Sequence, residues 1–217
     1  MTKLSIKASE ITNLTDARYF SAREVDWLGF SLDSSSESYL APIQINAIRE
    51  WISGPQIVVE LGTLSGNDII VQAIELLKPD AIQIGPFCDI DMLSAAGSVA
   101  VIRELVPDSL EQLDDYLFEW NAWRLHISFF TLNLEKNAFS WQLLKNNEKT
   151  LRSLKQLCNE YDVMLSLVFE PAELNEILFE LKPFGLSFKG GEEEKTGMKS
   201  FEAIDEIFDL MEEIKYS

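Results

Sequence analysis

The sequence predicts an α/β protein, a single (β/α)8 barrel spanning residues 1–217, and three observations carry that prediction. Short apolar runs alternate with longer amphipathic stretches along the whole chain. The short runs are apolar on both faces, as the strands of a buried parallel sheet are. Eight strand–helix units fit the 217 residues, at the compact end of the ~200 to 250 this architecture uses. Periodicity does not report closure, so a doubly wound open sheet is the alternative.

The elements follow in order. "LSIKA" reads as a strand, with a helix from about Thr15. "WLGFSL" is the second strand, and "PIQINAIREWI" opens its helix with Pro42, whose missing N–H costs nothing in a first turn. "QIVVEL" precedes the helix "GNDIIVQAIELL"; "AIQIG" precedes a short helix near Asp89. "VAVIREL" leads into "PDSLEQLDDYLFEW", with capping residues at its start. "WRLHISF" gives the sixth strand, followed by one long helix from Trp141 to about Tyr161. "VMLSLVF" precedes "PAELNEILFEL", and "GLSFK" precedes a last helix from about Ser200. The serine-rich "DSSSES" reads as a loop, and no composition break divides the chain.

Bulk chemistry narrows the function. The formal net charge is −18 and 47% of residues are hydrophobic. Such a charge repels nucleic acid and anionic membrane, so neither is expected as a partner. Apolar runs stop short of the ~20 residues that cross a bilayer. "MTKLSIKASE" has no long apolar stretch, so no signal peptide is expected. Cys88 and Cys158 stand apart in no metal-like spacing, which points to a reduced, cytoplasmic protein; no metal or other cofactor is expected. His126 is the single histidine, which excludes a site of several imidazoles.

A barrel of this kind keeps its chemistry where the strands end. The residues so placed are Ser9 and Glu10, Asp33 to Ser38, Glu60, Gly85, Arg103, Ser128, 168–170 and 189–191. Several of these fall in a pattern. Lys7 to Ala17 reads K-A-S-E-I-T-N-L-T-D-A, which aligns without a gap to K-I/V-C-G-I/L-T-N-L-x-D-A. Asp26 to Phe30 is similar to D-A-x-G-F. Ser36 to Pro42 is similar to S-P-R-Y-V-S-P, and Asp80 to Pro86 to D-A-V-Q-L-H-G. Lys189 to Lys199 keeps Gly191, Glu193, Gly197 and Lys199 of S-S-G-V-E-x-x-P-G-x-K. In these patches the chain resembles the phosphoribosylanthranilate isomerase family of tryptophan biosynthesis.

That resemblance implies a (β/α)8 barrel, no cofactor, a monomer or homodimer, and a small-molecule ligand at the barrel mouth. It implies an Amadori rearrangement of a phosphorylated aminosugar. Such a reaction needs a general base, a general acid, a cation for the anthranilate carboxylate and a phosphate cradle. The base, a cysteine in the family, falls at Ser9; a hydroxyl does not ionise without an adjacent base. Glu10, at the family's glycine, is the candidate to replace it. The acid, an aspartate ending the sixth strand, falls at Ser128, with His126 two residues earlier on the same strand face as a substitute. The arginine that clamps the carboxylate falls at Ser38, which has neither charge nor reach. The glycine-rich cradle reads "NLEKNAFSW", and the paired glycines after the seventh strand read Leu167 and Val168. Lys189, Gly190 and Gly191 remain as a segment able to hold an anion.

The expectation is therefore an isomerase-like barrel that has lost its catalysis and kept a binding or interaction role. An active isomerase, and an enzyme of altered chemistry built on Glu10, His126, Glu60 or Lys189, are the alternatives. Glu10, Glu60 and Lys189 give the mouth both signs of charge, which suits a cationic or zwitterionic ligand better than a dianion.

Overall fold

The computed structural model describes residues 4–190, 192–195 and 198–215. Its eight strands are β1 (Ser5–Ser9), β2 (Trp27–Ser31), β3 (Gln56–Glu60), β4 (Ala81–Ile84), β5 (Ala100–Leu105), β6 (Phe129–Asn133), β7 (Val163–Ser166) and β8 (Gly185–Lys189). They pair in chain order, all parallel, and close into a barrel. Closure is made by β1 against β8, in register from Ser5↔Gly185 to Ser9↔Lys189. The open-sheet alternative is thereby excluded.

Helices α1 (Leu14–Ala22), α2 (Pro42–Arg49), α3 (Asn67–Leu77), α4 (Gln112–Trp123), α5 (Trp141–Lys145), α6 (Glu148–Glu160) and α7 (Leu174–Leu181) lie between the strands along the chain, and α8 (Glu202–Lys215) follows the last. Their starts follow from local chemistry. Asn13 accepts from the Asp16 amide at 3.0 Å and so caps α1. Pro42 opens α2 as expected. The stretch after Asp89 forms a 3-10 segment, Ile90–Ala96, instead of an α-helix.

Two expectations are corrected. The long helix from Trp141 to Tyr161 is two helices, because Asn147 leaves helical geometry and accepts from the Thr150 amide at 3.1 Å, starting α6 afresh. The sixth strand begins at Phe129, so Ser128 precedes it instead of ending it. "WRLHISF" misled because its alternation mimics a strand. Trp123 in fact closes α4, where its ring packs under the Arg103 guanidinium at 3.6 Å.

A thick apolar layer holds the helices to the outer face of the barrel. Trp120 of α4 is fully buried in it, stacked on Phe130 of β6 at 3.9 Å and met edge-on by Tyr161. The barrel interior divides in two. A separate small cluster of Val58, Ala81, Ile102, Phe129 and Met164, packed with Trp27 and Phe184, is apolar. Beyond it, toward the carboxyl ends of the strands, the inward residues turn polar: Lys7, Glu60, Gln83, Glu104, Thr131 and Ser187 are all buried. Filling a barrel centre with Val, Ile and Leu is the usual solution. Polar filling there costs desolvation unless every group is hydrogen-bonded or faces a wet cavity.

After β8 come two short antiparallel strands, β9 (Glu192–Lys195) and β10 (Met198–Ser200). No helix among the described residues is long and apolar enough to cross a membrane.

Candidate functional site

The polar half of the interior opens at the strand carboxyl ends into a cavity of about 340 Å³. Its floor is built on one buried ion pair. Lys7, fully buried on β1, ion-pairs with Oε1 of Glu60 from β3 and donates to the Ser9 hydroxyl at 2.7 Å. Gly29 on β2 makes room for this pair: a Cβ there would collide with Glu60 Oε1. Oε2 of Glu60 accepts the Glu10 amide at 3.1 Å. Burial nevertheless pushes the Glu60 carboxyl above its ordinary value, against the pull of Lys7, with Glu104 and Glu10 adding to the rise.

Ser9 sits between two groups that supply no base. It accepts a hydrogen bond from the Lys7 ammonium and hydrogen-bonds the Ser187 hydroxyl of β8 at 2.7 Å. Glu10, next in the chain, has φ +55°, the left-handed region that costs a side-chain-bearing residue ~1–2 kcal/mol. Its carboxylate is anchored across the mouth, accepting from Ser38 Oγ at 3.2 Å and lying 3.6 Å from Lys189 Nζ. The three sequence candidates Glu10, Ser38 and Lys189 thus come together, but on one another. A protein carboxylate rests on Ser38, and the charge of Lys189 faces that carboxylate.

Ser128 and His126 lie elsewhere. They precede β6, at the amino end of the strands, and both are exposed. The residue that does end the sixth strand is Asn133, 6% exposed. Its amide donates to Glu104 Oε1 at 2.8 Å, and its carbonyl accepts from the Lys136 backbone at 3.1 Å. An amide has no proton to give at neutral pH, so the expected acid position is corrected in place and remains without an acid. Arg103 also misses the mouth. It alternates outward from its neighbour Glu104 and donates to the Cys88 carbonyl at 3.1 Å. Burial lowers its pKa, opposed by the charges of Glu119, Cys88 and Asp89.

Where the family's paired glycines would stand after the seventh strand, Val168 is tied to the loop that follows β6. Val168 donates its amide to the Phe139 carbonyl at 3.4 Å, and its own carbonyl accepts from Trp141 at 2.8 Å. An amide committed to Phe139 is not free to meet an anion. Gly190 follows β8; Gly191 and Gly197 lie outside the described residues.

Asp33 stands on the rim. Burial would raise its carboxyl, but hydrogen bonds from Ser35 and Thr63 outweigh that and hold it well below the ordinary carboxylate range. Among the described residues no three His, Cys, Asp or Glu side chains converge as a metal site would require. Sequence reading missed Lys7, Gln83, Glu104, Asn133 and Ser187. Counting inward residues by twos along each strand would have found Glu104 in place of Arg103.

The fold and the position of this cavity define the chain as a (β/α)8 barrel whose polar cavity opens at the carboxyl ends of the strands. Within that class it resembles the phosphoribosylanthranilate isomerases in particular. It is 24% identical over 201 residues to the N-(5'-phosphoribosyl)anthranilate isomerase of Rhizobium leguminosarum bv. trifolii, covering 86% of this chain and 84% of that one. The corresponding enzyme of Rhizobium johnstonii is 25% identical over 200 residues, covering 85% and 83%. Among solved structures, the phosphoribosyl anthranilate isomerase of Thermus thermophilus superposes with a TM-score of 0.75 at 21% identity, covering 97% of this chain and all of that one. That of Thermotoga maritima gives 0.77 at 17% identity, covering 96% and 98%. A 3-hexulose-6-phosphate synthase gives 0.65 at 13%, covering 95% and 99%. No family model matches the chain.

Proposed function

We propose that this chain is a phosphoribosylanthranilate isomerase-like barrel that does not carry out the Amadori rearrangement and uses its mouth to bind a small molecule. One observation carries the reading. At the family's base position, the Ser9 hydroxyl is held between the Lys7 ammonium and the Ser187 hydroxyl. The residue ending the sixth strand, Asn133, has no acidic proton.

The rearrangement moves one proton off carbon and another onto nitrogen or oxygen. Losing a single proton-transfer group costs ~10²–10⁴ in rate. Losses within one catalytic unit do not add, so the pair is not worth the product of the two. Binding is weakened as well. A substrate carboxylate would meet Ser38 and the anchored Glu10 carboxylate where the family offers an arginine, and like charge there repels it.

The test is turnover of N-(5'-phosphoribosyl)anthranilate by the purified protein, with growth of an isomerase-deleted strain on medium without tryptophan. The expected outcome is no turnover above the uncatalysed rate and no growth. Growth at ordinary expression would overturn the proposal.

A further inference from the structure

We propose that the ligand of the barrel mouth is a small polyhydroxylated amine, an amino-polyol or aminosugar without a phosphate, bound with its ammonium toward Glu104 and a hydroxyl on Gln83. This rests on the reading that the mouth is a binding site and no longer an isomerase centre.

The argument begins with unmet hydrogen-bonding capacity. Gln83, 3% exposed on β4, accepts from the Thr131 hydroxyl at 3.5 Å through Oε1. Its NH2 has no partner among the described residues. Glu104, 7% exposed on β5, gives Oε1 to Asn133, while its Oε2 has no hydrogen-bond partner among the described residues. Both side chains line the same cavity. Neither atom is sealed in the protein: both open to the cavity, where water or a ligand meets them. A free donor and a free acceptor facing one space are met together by a hydroxyl, which accepts from one and donates to the other.

The lining then favours a ligand with several polar groups. Apart from Gly62, every residue around the cavity carries a hydroxyl, a carboxylate, an amide or a lysine ammonium. An aromatic or aliphatic ligand would displace water from these groups and return nothing. A cavity of about 340 Å³ falls at the small end of ligand sites, the scale of a single sugar.

Charge selects between neutral, cationic and anionic polyols. Five carboxylates line the cavity; with Glu60 held by Lys7 and Glu10 facing Lys189, Asp33, Glu37 and Glu104 stand against Lys136. An ammonium gains from that surplus and a phosphate is opposed by it.

Titration of the isotope-labelled protein with 1-amino-1-deoxy-D-glucitol, D-glucitol and D-glucitol 6-phosphate, followed by NMR, tests the proposal. The amine is expected to shift the Gln83 side-chain amide and the Ser187 backbone amide with a dissociation constant in the ~1–10 mM range. D-Glucitol is expected to bind about tenfold more weakly, and the phosphate ester more weakly still. Glu104→Gln should lower the affinity for the amine about tenfold. Lys136→Met, on the exposed rim where folding is not at risk, should raise it about twofold. Circular dichroism of each variant separates lost binding from lost fold. The proposal is overturned if about 50 mM amine leaves Gln83 unshifted, if the phosphate ester binds more tightly than the amine, or if Lys136→Met weakens amine binding. Failure here without isomerase turnover removes only the ligand class; turnover of the phosphoribosyl substrate removes the underlying reading.

Discussion

Lys7 has no water around it, and everything it does follows from that. Its ammonium is neutralised by Glu60 in the barrel centre, and breaking a buried pair on one side strands the other charge at a cost of ~3–5 kcal/mol. Lys7→Met should therefore destabilise the protein by about that much in urea unfolding. Adding Glu60→Leu should recover most of the loss, since an apolar pair of similar volume avoids the desolvation; a double mutant no more stable than Lys7→Met would contradict this. Ser9→Cys alone should leave the protein inactive toward N-(5'-phosphoribosyl)anthranilate, because Asn133 and Ser38 still supply neither acid nor clamp; a large gain in turnover would show that Ser9 was the one missing part. At this scale the sequence was half legible. Ser9, Glu10 and Ser38 stood out because they interrupt a pattern. Their mutual contacts did not, since Glu10 meets Ser38 and Lys189 only when β1, the loop after β2 and β8 are brought together. Asn133 was hidden by a strand start misread in the alternation of 123–129.

Elements were more legible than sites, because a strand–helix unit is written in consecutive residues. Seven of the eight strand stretches fell where apolar runs placed them, and the exception arose at α4, whose final turn carries a buried Trp123 that the alternation assigned to a strand. The break between α5 and α6 was equally local, but two adjacent asparagines, Asn146 and Asn147, look no different from an exposed helix face until the cap geometry is seen. The cap has a measurable worth. Asn147→Ala should cost about 1 kcal/mol, as N-cap losses do, and thermal unfolding of the two proteins side by side would read it. Asn146→Ala, whose side chain reaches back to the Gln142 carbonyl at the exposed end of α5, should cost less; the reverse order would mean that α6 starts from a different residue.

For the whole molecule, the −18 charge and the polar mouth pull on stability in opposite directions as pH falls. Protonating exposed carboxylates relieves self-repulsion. Asp33 works the other way. Its folded pKa lies below its unfolded value near 4, so its contribution is complete above that value and is lost as pH falls toward the folded one. Each such proton changes stability by up to ~1.4 kcal/mol per pH unit. Asp33→Asn should lower stability at neutral pH and flatten the decline between about pH 4 and pH 2. Equal acid limbs in the two proteins would show that Asp33 is not held ionised by Ser35 and Thr63.

Closure between β1 and β8 also sets an order of events. Ser5 pairs with Gly185, so β1, once made on a ribosome, waits for the following strands through β8 before its second edge is covered. Until then Lys7 and Ser9 have no Ser187 beside them, and one row of backbone donors and acceptors on β1 faces outward. A long wait with an open edge is the condition under which strands pair with the wrong chain, and it makes folding slow, since closure joins residues at opposite ends of the sequence. Nascent chains halted before residue 185 should therefore bind chaperones or aggregate, and a permuted chain that places β8 directly before β1 should mature faster than the natural order.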